Sequence, residues 1–317
     1  METRRRRADR SPEKRVKPKK EKKKKYRVLK IIGLAVLFLI LIGGAIYGKV
    51  YLDIKKASNH AYQTIERQTQ AQLPNLKNKS SFTFLFLGVD DKVANDILVL
   101  TVNPKQNKTT VISLNRDIYL ESEKTTLKNL YGSKGVAGEI DALQNLLAVE
   151  ISRYVTFDMG GLGEFVEAVG GIEVANETNF IANGYQFKPR TLTLKTTDEV
   201  KAFLTKVVGE DEDEATAEKE LVNREQSALM AVIPKMKSIS TVLNYKKFVD
   251  AFSDNIKTDF AFDELQILGF DYNGVLGQIT KENLKTSKTR IDGKEKDILP
   301  EEQITKARER IVEALNE

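Results

Sequence analysis

The spacing of apolar residues divides the chain into regions. Ile31–Gly48 is an uncharged run of 18 residues, continued beyond Lys49 by Val50–Leu52. A helix rising about 1.5 Å per residue would carry that run across roughly 27 Å, close to the hydrocarbon thickness of a bilayer. Residues 49–80 are polar, permissive of helix and broken by Pro74, and read as a stalk. Short Phe-rich and β-branched runs follow at Ser81–Val89 (SFTFLFLGV), Ile97–Val102 and Lys108–Leu114. They read as buried strands, and the Asn103-Pro104-Lys105-Gln106-Asn107 turn joins the last two as a hairpin. Glu139–Ala148 has helical spacing in Ile140, Leu143, Leu146 and Leu147. Gly161–Val169 has it too and is stopped by Gly170-Gly171, after which Ile172–Val174 is extended. Glu210–Glu220 is acidic and reads as a solvated loop or helix start, Leu221–Met236 as a helix, and 237–270 as mainly helical. Asp292-Gly293 marks a turn, and Glu301–Leu315 closes the chain as a helix. Buried strands alternating with amphipathic helices predict an α/β domain over 81–317.

Charge changes this picture once it is divided along the chain. The total is 51 Lys+Arg against 45 Asp+Glu, but residues 1–30 hold 16 of the basic residues and four of the acidic ones. Subtraction leaves 35 basic and 41 acidic residues for 31–317, so a basic tail precedes a mildly acidic body. All of the tail's cations lie N-terminal to the apolar run, which predicts a cytoplasmic tail (1–30), an uncleaved anchor (31–48) and an extracytoplasmic body. The expected location is the cell membrane, as a single-pass type II protein. A basic segment beside a membrane sets topology and meets anionic headgroups, and no specific nucleic acid is expected as a partner. The chain has no Cys, which removes disulfides, thiolate nucleophiles and Cys-ligated metals. Its one histidine, His60, removes multi-histidine metal sites and reads as a solvated stalk residue.

Candidate chemistry concentrates between Gly88 and Asp117. Asp90 and Asp91 follow the first strand, Asp96 precedes the second, and Arg116-Asp117 follow the third. Carboxylates at neighbouring strand ends suit a hard cation such as Mg²⁺, and an anchored Arg suits phosphate. Turns also collect charged residues simply because they are wet, so spacing alone leaves both readings open.

The order of segments resolves this. FLFLGVDD, NDILVLTVNPK and TVISLNRD are followed by Ala142–Ala148, by Tyr154-Val155, and by Gly161-Leu162 with Glu164–Ile172. From residue 81 to about 315 the chain resembles the LytR-CpsA-Psr family of Gram-positive bacteria. That resemblance implies a central mixed β-sheet flanked by helices and preceded by a single transmembrane helix. It also implies a phosphotransferase that moves teichoic acid, capsule or another glycopolymer from an undecaprenyl pyrophosphate carrier to peptidoglycan. Carried over by position, Asp90 and Asp96 hold Mg²⁺ or Mn²⁺, Arg116 and Asp117 are catalytic, and Arg116, Arg224 and Gln226 bind phosphate. Thr205, Val207 and Leu221 stand where the family pattern has further arginines. Their loss supports an alternative: a catalytically weakened member that binds polyprenyl-phosphate lipids or regulates the cell envelope.

Overall fold

The computed structural model describes residues 48–69, 71–209, 213–235 and 244–316. The basic tail, and the expected anchor apart from Gly48, lie outside the described residues. Among the described residues no helix is long and apolar enough to cross a membrane. The chain divides into units at residues 1–52 and 53–317, and the second holds everything that follows except the start of the first helix.

In chain order, helix α1 (48–61) leads to strands β1 (Phe82–Asp90), β2 (Val93–Asn103) and β3 (Lys108–Leu114). The small ladder β4 (Tyr119–Leu120) and β5 (Thr125–Thr126) precedes α2 (Leu127–Leu147), β6 (Arg153–Asp158) and α3 (Leu162–Ala168). Next come β7 (Ile172–Asn176), β8 (Phe180–Ala182), β9 (Tyr185–Phe187), β10 (Arg190–Leu194), α4 (Thr197–Phe203) and α5 (Glu214–Lys235). The rest is α6 (Tyr245–Asn255), β11 (Ile256–Thr258), α7 (Phe262–Asp271), β12 (Gln278–Asn283), the hairpin β13 (Ser287–Ile291) and β14 (Lys294–Ile298), and α8 (Glu301–Asn316).

The central sheet runs β11-β6-β1-β2-β3-β12. β1–β6 and β3–β12 pair parallel and the other neighbours antiparallel, so the sheet is mixed. Side chains alternate across a strand, and each strand therefore serves two layers. Leu85, Leu87, Ile97, Val99, Ile112, Leu114 and Tyr154 face α2 and α8 and are buried with Leu130, Ile140, Leu143, Ala307 and Ile311. The intervening residues face the other way, where α5 and α7 lie. There the β1–β2 ladder pairs Phe82 with Val102, Phe84 with Leu100, Phe86 with Leu98, and finally Gly88 with Asp96. This second face carries apolar side chains for about 20 Å, at roughly 3.4 Å per residue, and ends on a carboxylate.

Strand β2 starts at Val93 rather than Ile97, so Asp96 lies within it and not before it, and β11 interrupts the stretch read as mainly helical. Two further segments also differ from the sequence expectation. α2 begins at Leu127 rather than near Glu139, because Gly132, Gly135 and Gly138 interrupt its apolar pattern, and at Gly135 (φ 63°) the backbone leaves helical geometry. The segment read as a stalk is docked on the body from Asp53 onward. The backbone N–H of Gln63 bonds the Thr258 carbonyl at 2.8 Å, and Arg67 bonds the Ile151 carbonyl at 2.7 Å and Asp259 at 2.8 Å. His60 is exposed but has a partner, its Nδ1 lying 2.8 Å from the Ser253 carbonyl. The polar composition that suggested a solvated stalk instead supplies hydrogen bonds to strand ends.

Candidate active site

The end of the apolar ladder is shaped by a bulge. Register shifts between Gly88 and Val89, so that Gly88 pairs with Asp96, Val89 with Ala94, and Asn95 has no cross-strand partner. A bulge re-aims side chains, and here Asp96 points to the second face while Asn95 turns toward Arg116. Gly88 is needed for the approach, because a Cβ there would sit 2.9 Å from Asp96 Oδ2 and 3.0 Å from Met159 Sδ.

Asp96 is 1% exposed, and its Oδ2 is buried without a hydrogen-bond partner. Burial lifts its pKa to about 6, against the opposing pull of Gln226, Lys281 and Arg116. Gln226, from α5, donates from Nε2 to Asp96 Oδ1 at 3.4 Å and to Ser113 Oγ at 3.2 Å. Its Oε1 accepts from Lys281 Nζ on β12 at 2.7 Å. Partial loss of hydration lowers the Lys281 pKa, with Asp96 pulling the other way.

Arg116 is buried directly after β3. It donates to Asn95 Oδ1, and from Nη2 to Glu218 Oε1 at 2.5 Å. That bond holds the Glu218 carboxyl below the ordinary range. Glu218 also lies 3.6 Å from Lys206, which pairs with Glu214 at 3.0 Å. One turn pair further along α5, Glu225 is 7% exposed with Oε2 unpartnered. Burial first, and then the charges of Asp96, Asp90 and Glu218, push its pKa up to about 7, with Arg116 opposing.

Of the residues predicted from sequence, Asp96, Arg116 and Gln226 come together, and Asp90 lies close enough to act on Glu225 from the exposed end of β1. Asp117 is not part of this group. Its backbone N–H bonds Asn115 Oδ1 at 2.8 Å and its carboxylate pairs with Lys128 at 2.6 Å, so the loop after β3 directs it to solvent and α2. Arg224 is buried on another side of α5. It donates to the Thr205 carbonyl at 3.0 Å and stands 4.2 Å over the Phe180 ring, and the charges acting on Asp96 are Lys281 and Arg116 rather than Arg224. Val207 packs into the core around Phe203, so the position where an arginine is expected has become part of the hydrophobic layer. Sequence reasoning missed Glu218, which sits in a stretch read as solvated, and Lys281, whose only signal is its place two residues after Ile279 on a strand. It also missed Glu225 and Ser113.

Two cavities lie near the cluster: the first begins at the Phe84–Leu100 pair, with Phe86–Leu98 between it and Asp96, and the second shares Gln226 with the cluster. One of about 750 Å³ is lined almost wholly by apolar groups, with Phe84, Leu100, Val155, Phe260, Leu268 and Tyr272 around it. It lies between the second face of the sheet and α7. The other, of about 440 Å³, is polar and is bounded by Asn176, Thr178, Lys219, Asn223, Arg224 and Gln226. Three carboxylates do not converge on one point among the described residues. Mg²⁺ usually takes one or two carboxylates and completes its shell with water and phosphate oxygens. The buried, unpartnered Oδ2 of Asp96, with Asp90 at the adjoining strand end, fits that donor chemistry.

Comparison with known proteins agrees with this architecture. A teichoic acid transferase TagU of Enterococcus faecalis, described as polyisoprenyl-teichoic acid–peptidoglycan teichoic acid transferase, is 31% identical over 296 residues, covering 89% of this chain and 95% of that protein. TagU of Bacillus subtilis is 27% identical over 286 residues, with 86% and 91% covered. The crystal structure of B. subtilis TagU superposes with a TM-score of 0.56, covering 75% of this chain and 98% of that one at 26% identity. The LytR_cpsA_psr family matches residues 48–313, over four-fifths of the chain, and with the mixed sheet and the Asp96–Arg116 cluster in place the chain belongs to that family.

Proposed function

We propose that this protein transfers a glycopolymer from a polyisoprenyl diphosphate carrier to peptidoglycan, and that teichoic acid is the polymer class its relatives' names favour. The observation that carries the proposal is the continuity of the second sheet face. Three apolar cross-strand pairs lead without a break to Gly88–Asp96, where acids, Arg116 and Lys281 gather. A molecule with a long hydrocarbon tail and a charged diphosphate head matches that sequence of surfaces, and few other ligands do. The prenyl chain occupies the 750 Å³ groove and runs on over the Phe86–Leu98 pair, the diphosphate lies at Asp96 and Arg116, and the saccharide extends toward the polar cavity beside Gln226.

In the reaction, an acceptor sugar hydroxyl attacks the phosphorus nearest the glycopolymer. A new P–O bond forms, the bond to the bridging oxygen breaks, and prenyl monophosphate leaves with the electron pair. The hydroxyl proton passes to a carboxylate, for which buried Glu225, with its pKa lifted to about 7, is well placed chemically. Asp96 with Asp90 would hold Mg²⁺ or Mn²⁺, and a metal bound there would supply positive charge to balance the diphosphate. Arg116 orients the phosphates, exchanging its contact with Glu218 for phosphate oxygens. The apolar run at 31–48 anchors the protein in the cell membrane with this body outside.

A second reading is motivated by that same Glu218 contact and by Val207 and Leu221: a member that binds the lipid carrier without turning it over. One experiment separates the two. The full chain in detergent is incubated with Mg²⁺ and a prenyl-diphosphate-linked disaccharide, and prenyl phosphate release is followed by mass spectrometry. Release that is lost in Asp96→Ala and Arg116→Ala supports the transferase. Tight binding with no release by the wild type supports the carrier-binding reading.

A further inference from the structure

Arginines are absent at Thr205, Val207 and Leu221, and the two that the family pattern retains are already engaged. Arg116 is held by Asn95 and Glu218, and Arg224 by the Thr205 carbonyl and the Phe180 ring. Asp96, Asp90 and Glu218 are close enough for their charges to reach Glu225, so a diphosphate bound there gains from a cation beyond Arg116.

The opposite edge of the site supplies one. β12 pairs parallel with β3, with Lys281 opposite Val111. Ile279, two residues earlier, packs with Leu98, Leu100 and Val111 on the groove face, so strand alternation puts Lys281 on that face, nearer the charged end. Its ammonium uses one N–H on Gln226 Oε1, 2.7 Å away, and the same Gln226 reaches Asp96 Oδ1. An ammonium has three donors, so two remain, and residue 281 is open to solvent beside Gln226.

Resting on the reading of the groove as a prenyl diphosphate site, we propose that Lys281 is a diphosphate-binding residue that takes over for the missing arginines. Gln226 holds it in register with Asp96, so that cation and carboxylate approach the head group from one side. Lys281 lies outside every motif through which the family is legible in the sequence, on a strand reached only after the sheet closes.

The test is equilibrium binding of farnesyl diphosphate and of farnesol, its uncharged counterpart, to the full chain in detergent with Mg²⁺. The variants are Lys281→Met, Lys281→Arg, and Lys288→Met as a charge-matched control from the surface hairpin, where Lys288 pairs with Glu295. Loss of a charged hydrogen bond to phosphate should weaken farnesyl diphosphate binding about tenfold or more in Lys281→Met. Farnesol binding should be unchanged, Lys281→Arg should keep most of the affinity, and Lys288→Met should behave as wild type. Equal diphosphate affinity in Lys281→Met and wild type overturns the assignment, as does a parallel loss of farnesol binding, which would mark a structural role. A wild type that does not prefer farnesyl diphosphate to farnesol overturns the prenyl diphosphate reading itself.

Discussion

The two faces of the central sheet are built from the same strands and have opposite characters. Toward α2 and α8, Leu85, Leu87, Ile97, Val99 and Ile112 are all at or below 1% exposure and the layer is sealed. Toward α5 and α7, Phe84, Phe86, Met230 and Ile279 are only partly buried, a 750 Å³ groove remains, and the layer ends in charge. Each face also has its buried carboxyl. On the sealed side Glu139, from α2, is fully buried and its pKa is raised to about 8 by loss of hydration, with the Tyr131 backbone opposing. On the open side Asp96 is raised to about 6, and it is surrounded by groups that handle charge: Gln226, Lys281 and Arg116. Burial alone perturbs a carboxyl, and only the open face adds partners for a ligand.

The sharpest way to break this contrast is to shorten side chains at nearby positions of β1. Leu87→Ala, on the sealed face, should cost about 2–5 kcal/mol in chemical denaturation. Phe84→Ala, on the groove face, should cost clearly less despite removing a larger side chain, while weakening prenyl ligand binding. Equal losses would show that the groove face is an ordinary core.

The buried carboxyls give a pH test of similar size. Both pKa values are raised on folding, so the native state binds more protons, and each group's contribution to stability falls as pH rises from the unfolded pKa to the folded one. For Asp96 that window is from about 4 to about 6. Without divalent cation, Asp96→Asn should therefore gain stability over wild type through that window and keep roughly 3 kcal/mol above it. For Glu139→Gln the gain should keep growing to about pH 8, with transferase activity intact. Thermal melts across pH 4 to 9 would read both.

Gly88→Ala should cost about 1–3 kcal/mol through the collision of the new methyl with Asp96 and Met159, and should depress activity further by displacing Asp96. The smallest effect belongs to Asp117. Its pair with Lys128 is solvent-exposed, so Asp117→Asn should shift stability by under about 0.5 kcal/mol and leave turnover near wild type.

Much of the sheet could be read from sequence, because β1, β2 and β3 are continuous apolar runs with a clear turn between the last two. The edge strand β11, three residues long, and the first half of α2, interrupted by glycines, offer no such pattern. Asp96 and Arg116 were legible because they flank apolar runs within recognisable segments. Glu218 and Lys281 were not, because an acidic helix face and a solvent-edge strand look alike whether or not they border a site. What brings them in is pairing between β3 and β12, segments more than 150 residues apart, and the packing of α5 over Asp96.

On the proposed reading, the α5/α7 face holds a prenyl chain whose diphosphate rests at Asp96. The most direct test of that reading is photocrosslinking of the full chain with a benzophenone-bearing prenyl diphosphate in the presence of Mg²⁺, followed by peptide mapping. Label is expected in the peptides containing Phe82–Phe86, Leu98–Val102 and Leu265–Tyr272, competed away by unlabelled prenyl diphosphate. Label confined to the opposite face or to surface lysines, or label that prenyl diphosphate does not displace, would contradict it.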